Sequence, residues 1–70
     1  MTITIFIALL EEGTEVWRPT QAESISGDLY RIIGQIQDDE VWEFPPGSVV
    51  RCKEKIFSNG ERGLVAYELG

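Results

Sequence analysis

The chain contains no histidine and a single cysteine, Cys52. Without imidazole, the commonest general base and the commonest metal ligand are missing together. Cys52 is flanked by Arg51 and Lys53, cations that lower a thiol pKa when they face it. Neighbours on a strand point to opposite faces, so neither cation is placed beside the sulfur, and Cys52 reads as a buried core residue. Carboxylates are plentiful, and Asp38, Asp39 and Glu40 form the densest charge run. That run lacks the alternating spacing of a calcium loop, and adjacent carboxylates cannot all turn inward, which favours a solvated loop over a metal site. No phosphate loop, nucleophile elbow or zinc spacing occurs. These residue types point away from an enzyme, and neither a cofactor nor a metal is expected.

Binding chemistry is better represented. Trp42, Phe44, Trp17 and Tyr30 are large aromatics of the kind that anchor protein interfaces. Trp42 and Phe44 stand beside Pro45-Pro46-Gly47, so Trp42 is the indole expected nearer the surface, although a small domain also needs such side chains for its core. A second candidate surface is acidic: Asp38, Asp39, Glu40 and Glu43 could cover a basic site on a partner enzyme. Twelve acidic residues against six basic ones give a formal charge of -6, which opposes nucleic-acid binding through phosphate contacts. Arg51, Lys53 and Lys55 recur at period 2, but the expected Glu68 opposite Arg51 and the surrounding acids make a balanced, solvated face the better reading.

Period 2 dominates the elements that must position these groups, and no stretch shows a convincing helical period. Ile3, Ile5, Ile7 and Leu9 define one face of a first strand over Thr2–Leu10, whose other face turns from Thr2 and Thr4 to Phe6, Ala8 and Leu10. Left at a sheet edge, this run would template pairing with a second copy, so homodimerisation through strand one is a further expectation. After Glu11-Glu12-Gly13-Thr14, a second strand is expected from Glu15, interrupted or edge-placed at Pro19. A turn at Ser26-Gly27-Asp28 leads to a third strand over 29–36 with Tyr30, Ile32 and Ile36 on one face. A two-residue Ser26-Gly27 turn would set Tyr30 opposite Glu23; a loop one residue longer, which is preferred, sets it opposite Ala22.

Pro45-Pro46-Gly47 marks a corner, because the prolines fix φ and remove donors while Gly47 permits φ > 0. The last hairpin is centred on Asn59-Gly60, the strongest short-range signal for a two-residue type I′ turn. That register pairs Phe57 with Arg62, Lys55 with Leu64, Lys53 with Ala66 and Arg51 with Glu68. On the alternate face Cys52 meets Tyr67 and Val50 meets Leu69 as core, while Glu54–Val65 and Ile56–Gly63 lead away from the body.

About five short strands in one domain over residues 1–70 are best closed on themselves, since an open sheet would expose the first strand. The element order and Gly47-Ser48-Val49-Val50-Arg51 resemble the SH3-like small barrels, which implies a five-stranded antiparallel barrel. Gly13-Thr14-Glu15-Val16-Trp17-Arg18-Pro19 through Ala22, with Trp42-Glu43-Phe44-Pro45-Pro46-Gly47, resembles a family of short uncharacterised bacterial proteins. That resemblance transfers no functional residue, and the paired-tyrosine groove motif of peptide-binding SH3 domains is absent. A lone cysteine fits a reducing cytoplasm. The amino terminus has no Lys or Arg before its apolar run, and Ile3–Leu10 is too short to span a bilayer, so neither signal peptide nor membrane anchor is expected. The expected function is that of a non-catalytic protein-interaction module.

Overall fold

The computed structural model describes residues 1–13, 15–36 and 39–70. Six strands follow in chain order: β1 (Thr2–Leu10), β2 (Trp17–Ser26), β3 (Leu29–Ile32), β4 (Val41–Trp42), β5 (Val49–Ile56) and β6 (Arg62–Leu69). The sheet order is β2-β3-β5-β6-β1-β4, and β1 also pairs with β2. Five strands therefore close into a ring, with the two-residue β4 attached to the far end of β1. No helix among the described residues is long and apolar enough to cross a membrane.

The expectation of a wholly antiparallel arrangement fails at one pair. β1 and β6 run parallel, bridged at Phe6↔Val65, whereas β1–β2, β2–β3, β3–β5 and β5–β6 are antiparallel. Parity explains this: directions that alternate around a ring of five must repeat once where it closes. The closure also gives β1 neighbours within the chain on both sides. Leu9 donates its N–H to Val16 on the β2 side, while Ala8 accepts from the Glu43 N–H on the opposite side. β1 is thus paired with β2 along its length and, on its other side, bridged at Phe6 and at Leu9–Leu10.

Alternation along β1 places Ile5, Ile7 and Leu9 in the core beside Ala22, Ile32, Val50, Cys52 and Ala66, and Trp42 and Phe44 complete the cluster. β2 is continuous through Pro19, which lies opposite Phe6. Val16 turns its carbonyl to β1 and Gln21 turns its carbonyl away, to Ile33 and Gly34. By the same alternation, the N–H that Pro19 lacks would point away from β1, beyond the end of β3, where it interrupts no ladder. β3 itself ends at Ile32 rather than running to Ile36, and Ile33 and Ile36 are exposed. There the chain bends so closely onto β2 that a Cβ on Gly34 would lie 1.8 Å from Thr20 Oγ1.

The β2–β3 turn falls on Gly27-Asp28, with Ser26 opposite Leu29, Tyr30 opposite Ser24 and a bulge between Ser24 and Ser26. Both sequence registers for Tyr30 are corrected by this pairing. Asp28 ties the turn to β5: its carbonyl accepts the Cys52 N–H at 2.9 Å and its carboxylate accepts from Arg51 at 3.0 Å. The corner forms where expected. Ser48 donates to the Pro45 carbonyl at 3.2 Å, and Gly47 has φ +90, which with Pro46 before it makes a type II turn. Gly47 N–H and Ser48 C=O also bond Ile32.

The last hairpin corrects the two-residue turn. Gly60 has φ +88 but Asn59 has no positive φ, and a type I′ turn needs both. Instead Gly60 donates to the Phe57 carbonyl at 2.9 Å and Phe57 donates to Glu61 at 2.8 Å, a three-residue loop closed by a left-handed glycine. Pairing shifts by one, to Ile56↔Arg62, Lys55↔Gly63, Glu54↔Leu64, Lys53↔Val65 and Cys52↔Ala66. A bulge then restores Arg51↔Glu68 and Val50↔Leu69 as predicted. Ala66 therefore takes the core place expected of Tyr67, while Tyr67 and Leu69 are exposed at 39% and 62%.

On the outer face the shift leaves Gly63 beneath two aromatic rings: a Cβ there would come within 2.6 Å of Phe6 and 2.9 Å of Phe57. Gly63→Ala is expected to cost about 1–3 kcal/mol by overpacking. Chemical denaturation monitored by far-UV circular dichroism measures this; an unchanged midpoint would contradict the close packing of the rings.

Candidate functional site

The four aromatics singled out from sequence do not form one surface. Trp42 and Phe44 are 6% and 9% exposed and belong to the core, correcting the expectation that Trp42 offers itself at the corner. Tyr30 packs against the core from β3. Trp17, half-buried at the start of β2, lines an open concavity.

The acidic set is also divided. Asp38 lies outside the described residues, while Asp39 and Glu43 are exposed. Glu40 is committed internally: the Arg18 guanidinium donates from Nε to both carboxylate oxygens at 3.1 and 3.0 Å, and from Nη2 to Oε2. The Trp42 indole N–H adds a bond to Oε1 at 3.1 Å. Arg18 foremost, with Trp42, holds the Glu40 carboxyl below the ordinary glutamate value, against the opposing effect of desolvation. The assembly joins β2 to β4 and makes Glu40 a structural residue.

Cys52 is buried as expected, and desolvation, with the Asp28 charge second, pushes its thiol up to about 11. The basic residues on the outer face of β5 are engaged as well. Arg51 meets Asp28 at 3.0 Å and Glu68 at 3.5 Å, and Lys53 sits 5.0 Å from the centre of the Tyr67 ring.

The concavity has a volume of about 370 Å³ and is lined by Phe6, Trp17, Phe57 and Val16, with Glu15 and Glu61 among its polar groups. Each element places one part. Phe6 projects from the outer face of β1, Trp17 stands opposite Ala8 as β2 begins, and Phe57 directly follows β5. Phe6 and Phe57 meet edge to face at 4.9 Å, and Trp17 and Phe57 do so at 6.2 Å, geometries that suit the aromatic quadrupoles. The three-residue loop sets Glu61 opposite Phe57, and Asn59 Oδ1 accepts the Glu61 N–H at 3.0 Å. At the other wall Glu15 Oε1 accepts the Trp17 indole N–H at 2.9 Å and lies 3.7 Å from Lys55 Nζ. That ammonium is 5.7 Å from the Trp17 ring centre.

Phe6, Phe57, Glu15 and Glu61 were missed as site residues. For the two phenylalanines the signal is parity: Phe6 falls out of phase with the Ile3-Ile5-Ile7 face, and Phe57 falls in phase with the charged Lys53 and Lys55.

The Trp17 bond first, then Lys55, lowers the Glu15 pKa below the ordinary glutamate value, with desolvation opposing. A depressed carboxyl contributes stability that is present above its unfolded pKa and lost as pH falls through the folded one. Trp17 emission is therefore expected to titrate with a midpoint below the ordinary glutamate pKa, and Glu15→Gln to remove the transition. A midpoint at or above the ordinary value would contradict the contact.

Fold and groove together define an all-β chain with a closed ring of five strands and an aromatic concavity outside its core. Comparison with family models, curated proteins and solved structures gives no match to this chain.

Proposed function

We propose that this chain is a non-catalytic protein-interaction module of the SH3-like small-barrel class, and that it binds through the Phe6–Trp17–Phe57 groove. The class rests on the strand order, the ring closure and the type II corner at Pro45–Ser48. The observation that carries the function is the second aromatic cluster. A domain of this size has few large side chains, yet three of them line an open groove while Trp42 and Phe44 fill the core. Aromatics gathered in an accessible concavity are typical interface anchors. A role in nucleic-acid binding is disfavoured by the charge of -6 and by the engagement of Arg51, Lys53 and Lys55 with neighbouring groups.

The test is recovery of partners from the native cell lysate by wild type, Trp17→Ala and Leu10→Ser, each first shown to be folded. A partner retained by wild type and Leu10→Ser but lost by Trp17→Ala supports the groove. Equal recovery by all three would contradict it.

The second reading, an acidic inhibitor or immunity-type protein covering a basic site, draws on a different end of the molecule. Leu9↔Trp42 and Leu10↔Val41 bring the start of the Glu11-Glu12 turn alongside the segment carrying Asp39 and Glu43. Leu10 and Val41, 43% and 40% exposed, lie between these acids. Neutralising Asp39, Glu43, Glu11 and Glu12 together would abolish binding in that case and leave groove binding largely intact.

A further inference from the structure

Resting on the groove as the binding surface, we propose that its occupant is an arginine or lysine side chain carried on a basic segment of a partner protein. The chain already builds a cation site from the same wall. Lys55 places its ammonium 5.7 Å from the Trp17 ring centre and 3.7 Å from Glu15 Oε1, and that oxygen also holds the indole N–H. An indole face beside a carboxylate attracts a cation through both the ring quadrupole and the charge. Lys55 is not among the residues lining the groove, so it engages this pair from outside and leaves the concavity open.

The groove side presents more negative charge. Glu61 lines it opposite Phe57, and its carboxylate makes no ion pair with another described residue. An acidic occupant would face Glu15 and Glu61 at close range. A wholly apolar occupant would take those carboxylates out of water without supplying a partner, which is costly. A guanidinium or ammonium on an aliphatic stem meets both requirements, laying its stem on Phe6 and Phe57 and its charge beside the carboxylates. The net charge of -6 steers a basic segment toward the molecule.

Lys55 then acts as an internal competitor for the charge of Glu15, not for the space. Lys55→Gln makes the chain more negative by one and releases that carboxylate, so affinity for a basic ligand rises. A role for Lys55 confined to stability predicts the opposite or no change.

The probe is an arrayed library of octapeptides, each synthesised with arginine, citrulline or glutamate at its central position. It is applied to the full chain as wild type, Glu15→Gln/Glu61→Gln, Lys55→Gln and Trp17→Ala, all checked for native circular dichroism. The expected result is that arginine peptides bind about tenfold more tightly than their citrulline counterparts, a preference that disappears in the double glutamine variant. Lys55→Gln is expected to improve arginine binding about two- to fivefold. Trp17-dependent binding with no preference for arginine over citrulline would overturn the cationic occupant while leaving the interaction module standing. Binding indifferent to Trp17→Ala, or no binding across the array, would overturn both.

Discussion

Trp42→Ala is expected to unfold the domain or leave it only marginally folded at 25 °C. Trp42 is 6% exposed within the core cluster beside Leu9, its strand partner, and its indole N–H bonds Glu40. Truncating a buried tryptophan costs about 3–5 kcal/mol through lost burial and the cavity left behind. A chain of 70 residues has a total stability of only about 4–10 kcal/mol on the usual per-residue scale. The substitution also removes the donor that helps fix Glu40 between β2 and β4. Trp42→Phe retains most of the apolar volume and is expected to fold with a lower midpoint. Urea denaturation followed by far-UV circular dichroism measures both, and a Trp42→Ala variant as stable as wild type would show that the indole is not part of the core.

Trp17→Ala is expected to behave in the opposite way. The domain should remain folded, losing about 1–2 kcal/mol from the edge contact with Phe57 and partial burial, because Trp17 is half-buried and lies outside the main cluster. Binding should fall about 30-fold or more, the loss expected when an aromatic anchor at the centre of an interface is removed. The two tryptophans thus separate stability from binding. Isothermal titration of a selected ligand against both proteins reads the binding loss, and undiminished affinity in folded Trp17→Ala would show that the ligand binds elsewhere than the groove.

Much of the fold was legible in the sequence because β patterning carries it directly. The Ile3-Ile5-Ile7-Leu9 alternation predicted the buried face of β1, and Pro45-Pro46-Gly47 predicted the corner. Burial of Val50 and Cys52 also followed from their positions. Register was harder, since local turn chemistry admits more than one solution. Asn59-Gly60 is compatible with a type I′ turn, but tertiary packing selects a three-residue loop in which only Gly60 is left-handed. The bulge at Tyr67 then compensates, so the ends of the hairpin pair as predicted although its middle does not.

The site suffered from the same one-residue shift. With Phe57 set against Arg62, nothing acidic faces that ring; with Phe57 bonded to Glu61, a carboxylate enters the groove. Trp42 departs from expectation for a different reason. Proximity to prolines in sequence suggested a surface, whereas β4 pairs with β1 and draws the indole inward. Closure of the ring, which brings Phe6, Trp17 and Phe57 together, joins β1 to both β2 and β6. No local pattern encodes that long-range pairing.

The central claim is that binding occurs at the Phe6–Trp17–Phe57 groove and not at the acidic β1–β4 end. Its most direct test is two-dimensional ¹H–¹⁵N NMR of the wild-type chain titrated with the tightest-binding octapeptide from the array. The predicted result is that the largest shifts fall on the Trp17 indole N–H and the amides of Phe57 to Glu61, with Trp42 and Glu43 nearly unmoved. Shifts concentrated at Leu10, Glu11, Val41 and Glu43, with the Trp17 indole unchanged, would contradict it.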